Sequence, residues 1–421
     1  MNENIDIETF PTNLNGTIKI PPSKSLSHRA LICAALSDGE TTVSNIVFSE
    51  DVKATINALK LIGAHFDEYE DAVRVKGVRK LKLSNKEVFC NESGSTLRFL
   101  IPIFSLTKKE ITFTGKKSLI SRPQKIYEDI FEEDKNIFSV SEDKIVVKGS
   151  IKARTYYLDG TVSSQFFTGL MMALPLLEED SYIHIKGTLE SKSYIDLTID
   201  VLDHFGINVQ KIENGYYIQG SQSYKAKDYR VEGDFSQAAF FLVGGILSGN
   251  TNLDDLSGDS SQGDKQIINI IKDMKGRIIF TENGFTAIKS ETFGTTIDLS
   301  NCPDLGPIVA LLASLSEGTT IIENAGRLRI KESDRIESTV NTLTKLGADI
   351  SATEDQITIN GKQSLIGGVS VDSYNDHRIA MMLAIASTRC EKPITITNAN
   401  AVTKSYPHFF EDFELVGGIL K

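Results

Sequence analysis

Apolar residues arrive along this chain in two kinds of run, and the two kinds alternate. The first is apolar on every side: LICAAL (31–36), FLIPIF (99–104), FFTGLMMALPLL (166–177) and AAFFLVGGIL (238–247). A helix with no polar face must be buried all round. The second kind opens on polar residues, spaces its apolar residues three and four apart, and often ends at Gly. Examples are SEDVKATINALKLIGA (49–64), SKSYIDLTIDVLDHFG (191–206) and KESDRIESTVNTLTKLGA (331–348). These read as amphipathic outer helices with a glycine stop. A short alternating strand and a polar knot precede each all-apolar run, and a strand opening on small or Thr residues follows it.

This unit recurs six times. One residue from each knot marks the register: Lys24, Gly94, Ser163, Phe235, Asp304 and Asp376, separated by 70, 69, 72, 69 and 72 residues. The pattern predicts an α/β fold of two domains, each of three βαβαββ repeats with the inner helices buried. The seam should fall near residue 230, between KAKDYR and VEGD.

Composition narrows the function classes. The chain of 421 residues carries a formal charge of −11, which disfavours a nucleic-acid surface but leaves room for a local cluster binding a small anion. Cys33, Cys90, Cys302 and Cys390 lack paired spacing and read as small buried hydrophobes in a reducing compartment. The opening MNENIDIETF has neither a signal core nor a transit pattern, and no apolar run reaches membrane-spanning length. The expectation is a cytoplasmic location with no membrane partner.

Cations stand where helix starts are expected: Lys24, Arg29, Arg98, Arg122, Lys331, Arg335, Arg378 and Lys404. A helix N-terminus is partly positive, so each cation there is unfavourable by roughly 0.3–1 kcal/mol. Any one of them alone is an ordinary solvated side chain. Recurring in register beside Ser- and Gly-rich knots, as in Ser93-Gly94-Ser95-Thr96, they point to a bound polyanion that reverses the sign of the penalty. Asp304, Glu332 and Asp334 are interleaved with them. Caps and first-turn acids are the plain alternative, but acids among cations also suit general acid–base work. His28 and His377 lie in knots without any metal-ligand spacing, so neither a metal nor a cofactor is expected. No Walker-type or GxGxxG motif is present.

The knots also carry a family resemblance. PPSKSLSHRAL (21–31), GSTLR (94–98), SRP (121–123), DGTVSSQF (159–166), SKSYID (191–196), VEGD (231–234), PDL (303–305), RIKESDR (329–335), YNDHRIAM (374–381) and KSYPHFF (404–410) resemble the enolpyruvyl transferases. Within that family they are most similar to the branch acting on shikimate 3-phosphate, from about residue 14 to 418. The resemblance implies domains of 20–231 and of 1–19 with 232–421, the active site in the cleft between them, and a monomer. It implies a shikimate 3-phosphate site of Lys24, Ser25, Arg29, Ser163, Ser164, Gln165, Ser191, Asp304 and Lys331. Phosphoenolpyruvate would meet Lys24, Gly94, Arg122, Gln165, Arg335, Arg378 and Lys404. Asp304, Glu332 and Lys24 would be catalytic, with addition followed by elimination through a tetrahedral intermediate.

The chain makes four departures from the family's usual residues: Glu92, the Ser95-Thr96 pair, Phe99 and Arg327. The first three bear on sensitivity to a phosphoenolpyruvate-mimicking inhibitor, and Arg327 is left out of the site. A sister transferase acting on UDP-N-acetylglucosamine would have a Cys in the loop GKKSLISRPQ (115–124), which has none. A non-catalytic anion receptor would not gain from acids interleaved with its cations.

Overall fold

The structure is a computed structural model that describes residues 5–421. It divides into two compact units, one of Pro22–Val231 and one of the chain through Pro21 together with Glu232–Lys421.

The expected repeat appears complete in its second, third and fifth copies. A strand ahead of the knot lies parallel to the strand after the inner helix, and two antiparallel strands complete the sheet. The second copy runs Glu87–Phe89, Glu110–Thr114, Lys144–Lys148, Ile137–Val140 across its sheet. The third runs Thr155–Asp159, Ser181–Lys186, Gly215–Ile218, Val209–Ile212. In the first copy the parallel place beside Glu40–Ser44 is taken by Tyr229–Arg230. The strand that leads that copy in sequence, Asn15–Lys19, instead runs parallel to Asn250–Asp254 of the fourth copy. Repeats one and four have exchanged their leading strands.

The sixth copy is closed by the chain ends. Ser370–Asp372 pairs parallel with Ile394–Thr397, and Ile7–Thr9 pairs antiparallel with the latter. Glu8 and Lys421 then exchange backbone hydrogen bonds of 3.0 and 2.9 Å. After the strand that follows the inner helix, four copies turn on a left-handed Asn or Asp: Asn45, Asp255, Asn324 and Asn398, with φ between 54° and 70°. Short polar side chains tolerate this conformation where branched ones do not.

Burial matches the pattern of apolar positions. Every residue of the inner helices Phe235–Ser248, Gly306–Ser314 and His377–Ser387 is buried. The outer helix Glu50–Lys60 buries one face and exposes Lys53, Asn57 and Lys60. The four cysteines are free and buried.

The inner helix Gly94–Ser105 contains Pro102, which has no N–H to donate to the carbonyl four residues back. That carbonyl belongs to Arg98, and the buried Tyr127 hydroxyl donates to it at 2.5 Å. The third inner helix, Ser164–Ala173, packs closely here because Gly169 has no side chain. A Cβ at Gly169 would stand 2.4 Å from both the Arg98 oxygen and the Tyr127 hydroxyl.

The expectation that all eight cations mark helix starts needs correction. Lys24, Arg335 and Arg378 occupy first or second helical positions. Arg29 and Arg98 lie a turn inside their helices and are buried. Arg122 is in the turn between Lys117–Ile120 and Lys125–Glu133, Lys331 follows the 3₁₀ segment Gly326–Ile330, and Lys404 ends the 3₁₀ segment Ala399–Lys404. Arg and Lys side chains are long enough to reach a helix end from such places, so sequence proximity to a start does not fix the backbone position.

Candidate active site

In the 22–231 unit the first three knots present Ser, Lys and Gly at helix N-termini. Ser23, Ser93 and Ser163 cap the three inner helices, accepting from Leu26 N, Thr96 N and Gln165 N. Lys24, the first residue of its helix, reaches Asp51 Oδ2 at 2.9 Å. Arg29 is 2% exposed and directs its donors inward, to the Ser25 oxygen (2.8 Å), Thr198 Oγ1 (2.8 Å) and the Tyr194 oxygen (3.1 Å). Burial lowers its pKa to about 10, against opposing contributions from Tyr194 and Cys33. In this arrangement Arg29 braces the backbone of the first knot.

Gly94, Arg122 and Gln165 converge. A Cβ at Gly94 would lie 3.0 Å from Arg122 Nη1 and 3.2 Å from Gln165 Oε1, so any larger residue would intrude on both. The Gln165 amide is oriented by Arg98, which donates to Oε1 at 3.0 Å, and by Ser95 Oγ, which accepts from Nε2 at 3.1 Å. Arg98 itself stacks over Phe166 and donates to the Pro123 oxygen. The half-buried Arg122 has its Nε buried without a hydrogen-bond partner. Ser191 is buried and left-handed at φ 50°, immediately before the helix Lys192–His204, and Ser164 is buried at the start of its own helix.

In the other unit, three cations surround one carboxylate. Asp304 accepts from Lys331 Nζ at 3.1 Å, Arg335 Nη1 at 2.9 Å and Arg378 Nη2 at 3.1 Å. Burial alone would raise its pKa, but Arg378, Lys331 and Arg335 together hold it well below the ordinary carboxylate range. Lys331 is shifted down by burial and by Arg327 and Arg335, against the pull of Asp304.

Arg335 is 1% exposed and holds three carboxylates: Asp304, Glu332 at 2.7 Å and Asp376 at 2.8 Å. It organises the acids. Arg378 donates to Ser236 Oγ at 3.0 Å as well as to Asp304. The buried Lys404 donates to the Asn375 oxygen at 2.6 Å. That oxygen is presented by two consecutive left-handed residues, Tyr374 and Asn375, at φ 55° and 51°. Such a pair is a local strain of roughly 1 kcal/mol or more per residue that the surrounding fold must maintain.

Asp334 caps the helix Arg335–Lys345, accepting from Ile336 N and Glu337 N, so its structural reading holds. Asp304 is not a cap. Asp376 is the principal residue that sequence reasoning passed over. It caps His377–Ser387 through Arg378 N and binds Arg335 with both oxygens. Its signal was an Asp in the knot, three residues ahead of the apolar run that starts at Ile379. Asp51 and Thr55 had none, since they lie on the outer helix and meet the knots only in three dimensions. Among the described residues no group of His, Cys, Asp and Glu is placed to hold a metal ion, and no helix is long and apolar enough to cross a membrane.

In each unit, then, capped helix ends, cations and fixed acids stand together at the knots. The fold is that of an enolpyruvyl transferase from Streptomyces tendae, NikO, at a TM-score of 0.81, 13% identity and coverage of 100% of this chain and 98% of that one. An EPSP synthase structure from Acinetobacter baumannii matches with a TM-score of 0.83 and 25% identity, covering 99% of each chain. A Clostridium novyi (strain NT) relative named 3-phosphoshikimate 1-carboxyvinyltransferase is 51% identical, over 99% of this chain and 98% of its own. The profile of the family described as EPSP synthase (3-phosphoshikimate 1-carboxyvinyltransferase) matches residues 9–413. The chain belongs to that family.

Proposed function

We propose that the chain is an active 3-phosphoshikimate 1-carboxyvinyltransferase, moving the enolpyruvyl group of phosphoenolpyruvate to the 5-hydroxyl of shikimate 3-phosphate and releasing phosphate. The observation that carries the chemistry is the Asp304 carboxylate held among Lys331, Arg335 and Arg378. Both substrates bring a carboxylate and a phosphate, so a site for the pair needs many fixed cations. Lys24, Ser25, Arg29, Ser163, Ser164, Gln165, Ser191, Asp304 and Lys331 are assigned to shikimate 3-phosphate. Lys24, Gly94, Arg122, Gln165, Arg335, Arg378 and Lys404 are assigned to phosphoenolpyruvate, with Arg29 and Arg335 serving chiefly to hold their neighbours.

In the addition step the 5-oxygen bonds to C2 of phosphoenolpyruvate. Asp304 takes the hydroxyl proton, and Glu332 or Lys24 delivers a proton to the methylene carbon, which becomes a methyl. In the elimination the C2–phosphate bond breaks, the methyl returns a proton and the double bond re-forms. Lys24, Arg122 and Lys404 neutralise the departing phosphate. Asp304 locked among three cations is a weak base. Substrate anions that draw on Arg378 and Lys331 raise its basicity at the moment it is needed. The same reading makes the protein a cytosolic monomer without a nucleic-acid partner, in keeping with its charge of −11.

The test is phosphate release from phosphoenolpyruvate with and without shikimate 3-phosphate. Release should require shikimate 3-phosphate, and Asp304→Asn should slow turnover about 10²–10⁴-fold, the usual range for a lost general base. Release that ignores shikimate 3-phosphate, or near wild-type turnover in the variant, contradicts the assignment.

A further inference from the structure

The first inner helix, Lys24–Leu36, is joined to the outer helix Glu50–Lys60 at two successive turns. Lys24 meets Asp51 at 2.9 Å, and His28 Nδ1 lies 2.7 Å from Thr55 Oγ1. Lys24 and His28 are four residues apart, as are Asp51 and Thr55, so the two contacts stack along one helix–helix seam. The second contact continues. Thr55 Oγ1 is 2.6 Å from Thr96 Oγ1, and the Thr96 hydroxyl donates to Ser93 Oγ at 2.7 Å. Ser93 Oγ also accepts from Thr96 N at 3.1 Å, capping the second inner helix. His28, Thr55, Thr96 and Ser93 are all buried.

Each hydroxyl has one proton, and that sets the direction of the chain. Thr96 donates to Ser93, so Thr55 must supply the proton between Thr55 and Thr96. Thr55 then has none left for the ring, so His28 Nδ1 carries the hydrogen and donates. The other nitrogen, Nε2, is a bare acceptor, buried without a hydrogen-bond partner. Protonating it would bury an unmatched N–H beside Lys24 and Arg29, so the ring is held neutral.

We propose that His28 is a positioning residue: as the neutral Nδ1–H tautomer it locks the first knot to the second through Thr55 and Thr96. It thereby sets Lys24 against the Gly94–Arg122–Gln165 group, and the inference rests on reading that group as the phosphoenolpyruvate site. Thr55 shares a helix with Asp51 one turn away, so pinning Thr55 to the second knot also places the carboxylate that holds Lys24. A misplaced ammonium loses far more in ligand alignment than in folding.

The experiment compares His28→Leu, His28→Asn and Thr55→Val in the full chain by steady-state kinetics, with thermal midpoints as a fold control. Asn places an N–H where Nδ1 stood, and Leu does not. His28→Leu and Thr55→Val should raise KM for phosphoenolpyruvate about tenfold, the scale of one lost buried hydrogen bond, and KM for shikimate 3-phosphate should rise with it, since Lys24 and Gln165 serve both substrates. His28→Asn should restore the wild-type KM. The proposal falls if Asn does no better than Leu, or if the thermal midpoint drops while the KM for phosphoenolpyruvate stays at the wild-type value. If His28→Leu does not fold, Thr55→Val carries the same comparison. Nitrogen NMR of the wild-type imidazole should find hydrogen on Nδ1 and none on Nε2, and a protonated Nε2 overturns the relay. That measurement stands apart from catalysis: absence of shikimate 3-phosphate-dependent phosphate release would instead overturn the functional reading beneath it.

Discussion

At Asp304 and His28 the same physics, burial opposed or reinforced by fixed charge, drives two pKa values downward with different consequences. Burial, then Lys24 and Arg29, lowers His28 well below 6.5. The unfolded chain takes up that proton as the pH falls below about 6.5 and the folded chain does not, so stability is lost on acidification from there. Asp304 and Asp376 are lowered by their cations in spite of burial. The stability they contribute is complete above about pH 4 and lost as pH falls through their depressed folded values. The urea midpoint should therefore fall in two stages, the upper starting near pH 6.5 and missing from His28→Asn. A single stage confined below pH 4 in the wild type would show that His28 is not buried neutral. Residue types at Lys24, Gly94 and Asp304 were legible one by one. The grip of Arg335 on three acids was not, because Asp304, Glu332 and Asp376 are brought together only by folding.

Among the elements, the second inner helix shows how the core supports the site. Pro102 leaves the Arg98 carbonyl without its helical donor, Tyr127 supplies one, and the Arg98 guanidinium at the same residue orients Gln165. Tyr127→Phe should destabilise the protein by about 1–3 kcal/mol, as expected for a buried acceptor left unpaired. It should also weaken phosphoenolpyruvate binding through Gln165. Equal thermal midpoints for variant and wild type would mean that the freed carbonyl finds another donor. The inner helices were readable as buried because they lack a polar face. The proline's compensation was not readable, since its partner lies on an outer helix 25 residues downstream.

Over the whole molecule, the exchange of leading strands makes the two units unequal as folding units. Residues 22–231 contain every strand of their three sheets, including Tyr229–Arg230. Residues 232–421 lack Asn15–Lys19 and Ile7–Thr9, which complete two of theirs. A 22–231 fragment should unfold cooperatively by circular dichroism. A 232–421 fragment should fold only when residues 1–21 are supplied, for instance by joining them after Lys421, where the chain ends already pair. Cooperative unfolding of 232–421 alone would show that the two missing strands are dispensable.

Sequence by itself determined the sixfold unit, its strand–knot–helix order, which helices are buried, and where cations and acids cluster. Each of these follows from local periodicity or from chemistry within a few residues. Tertiary structure alone decided which strand completes which sheet, which carboxylate each cation meets, and that His28 faces a line of hydroxyls. Those pairings join positions tens to hundreds of residues apart, and a backbone hydrogen bond or an ion pair leaves no periodic trace of its partner in the chain.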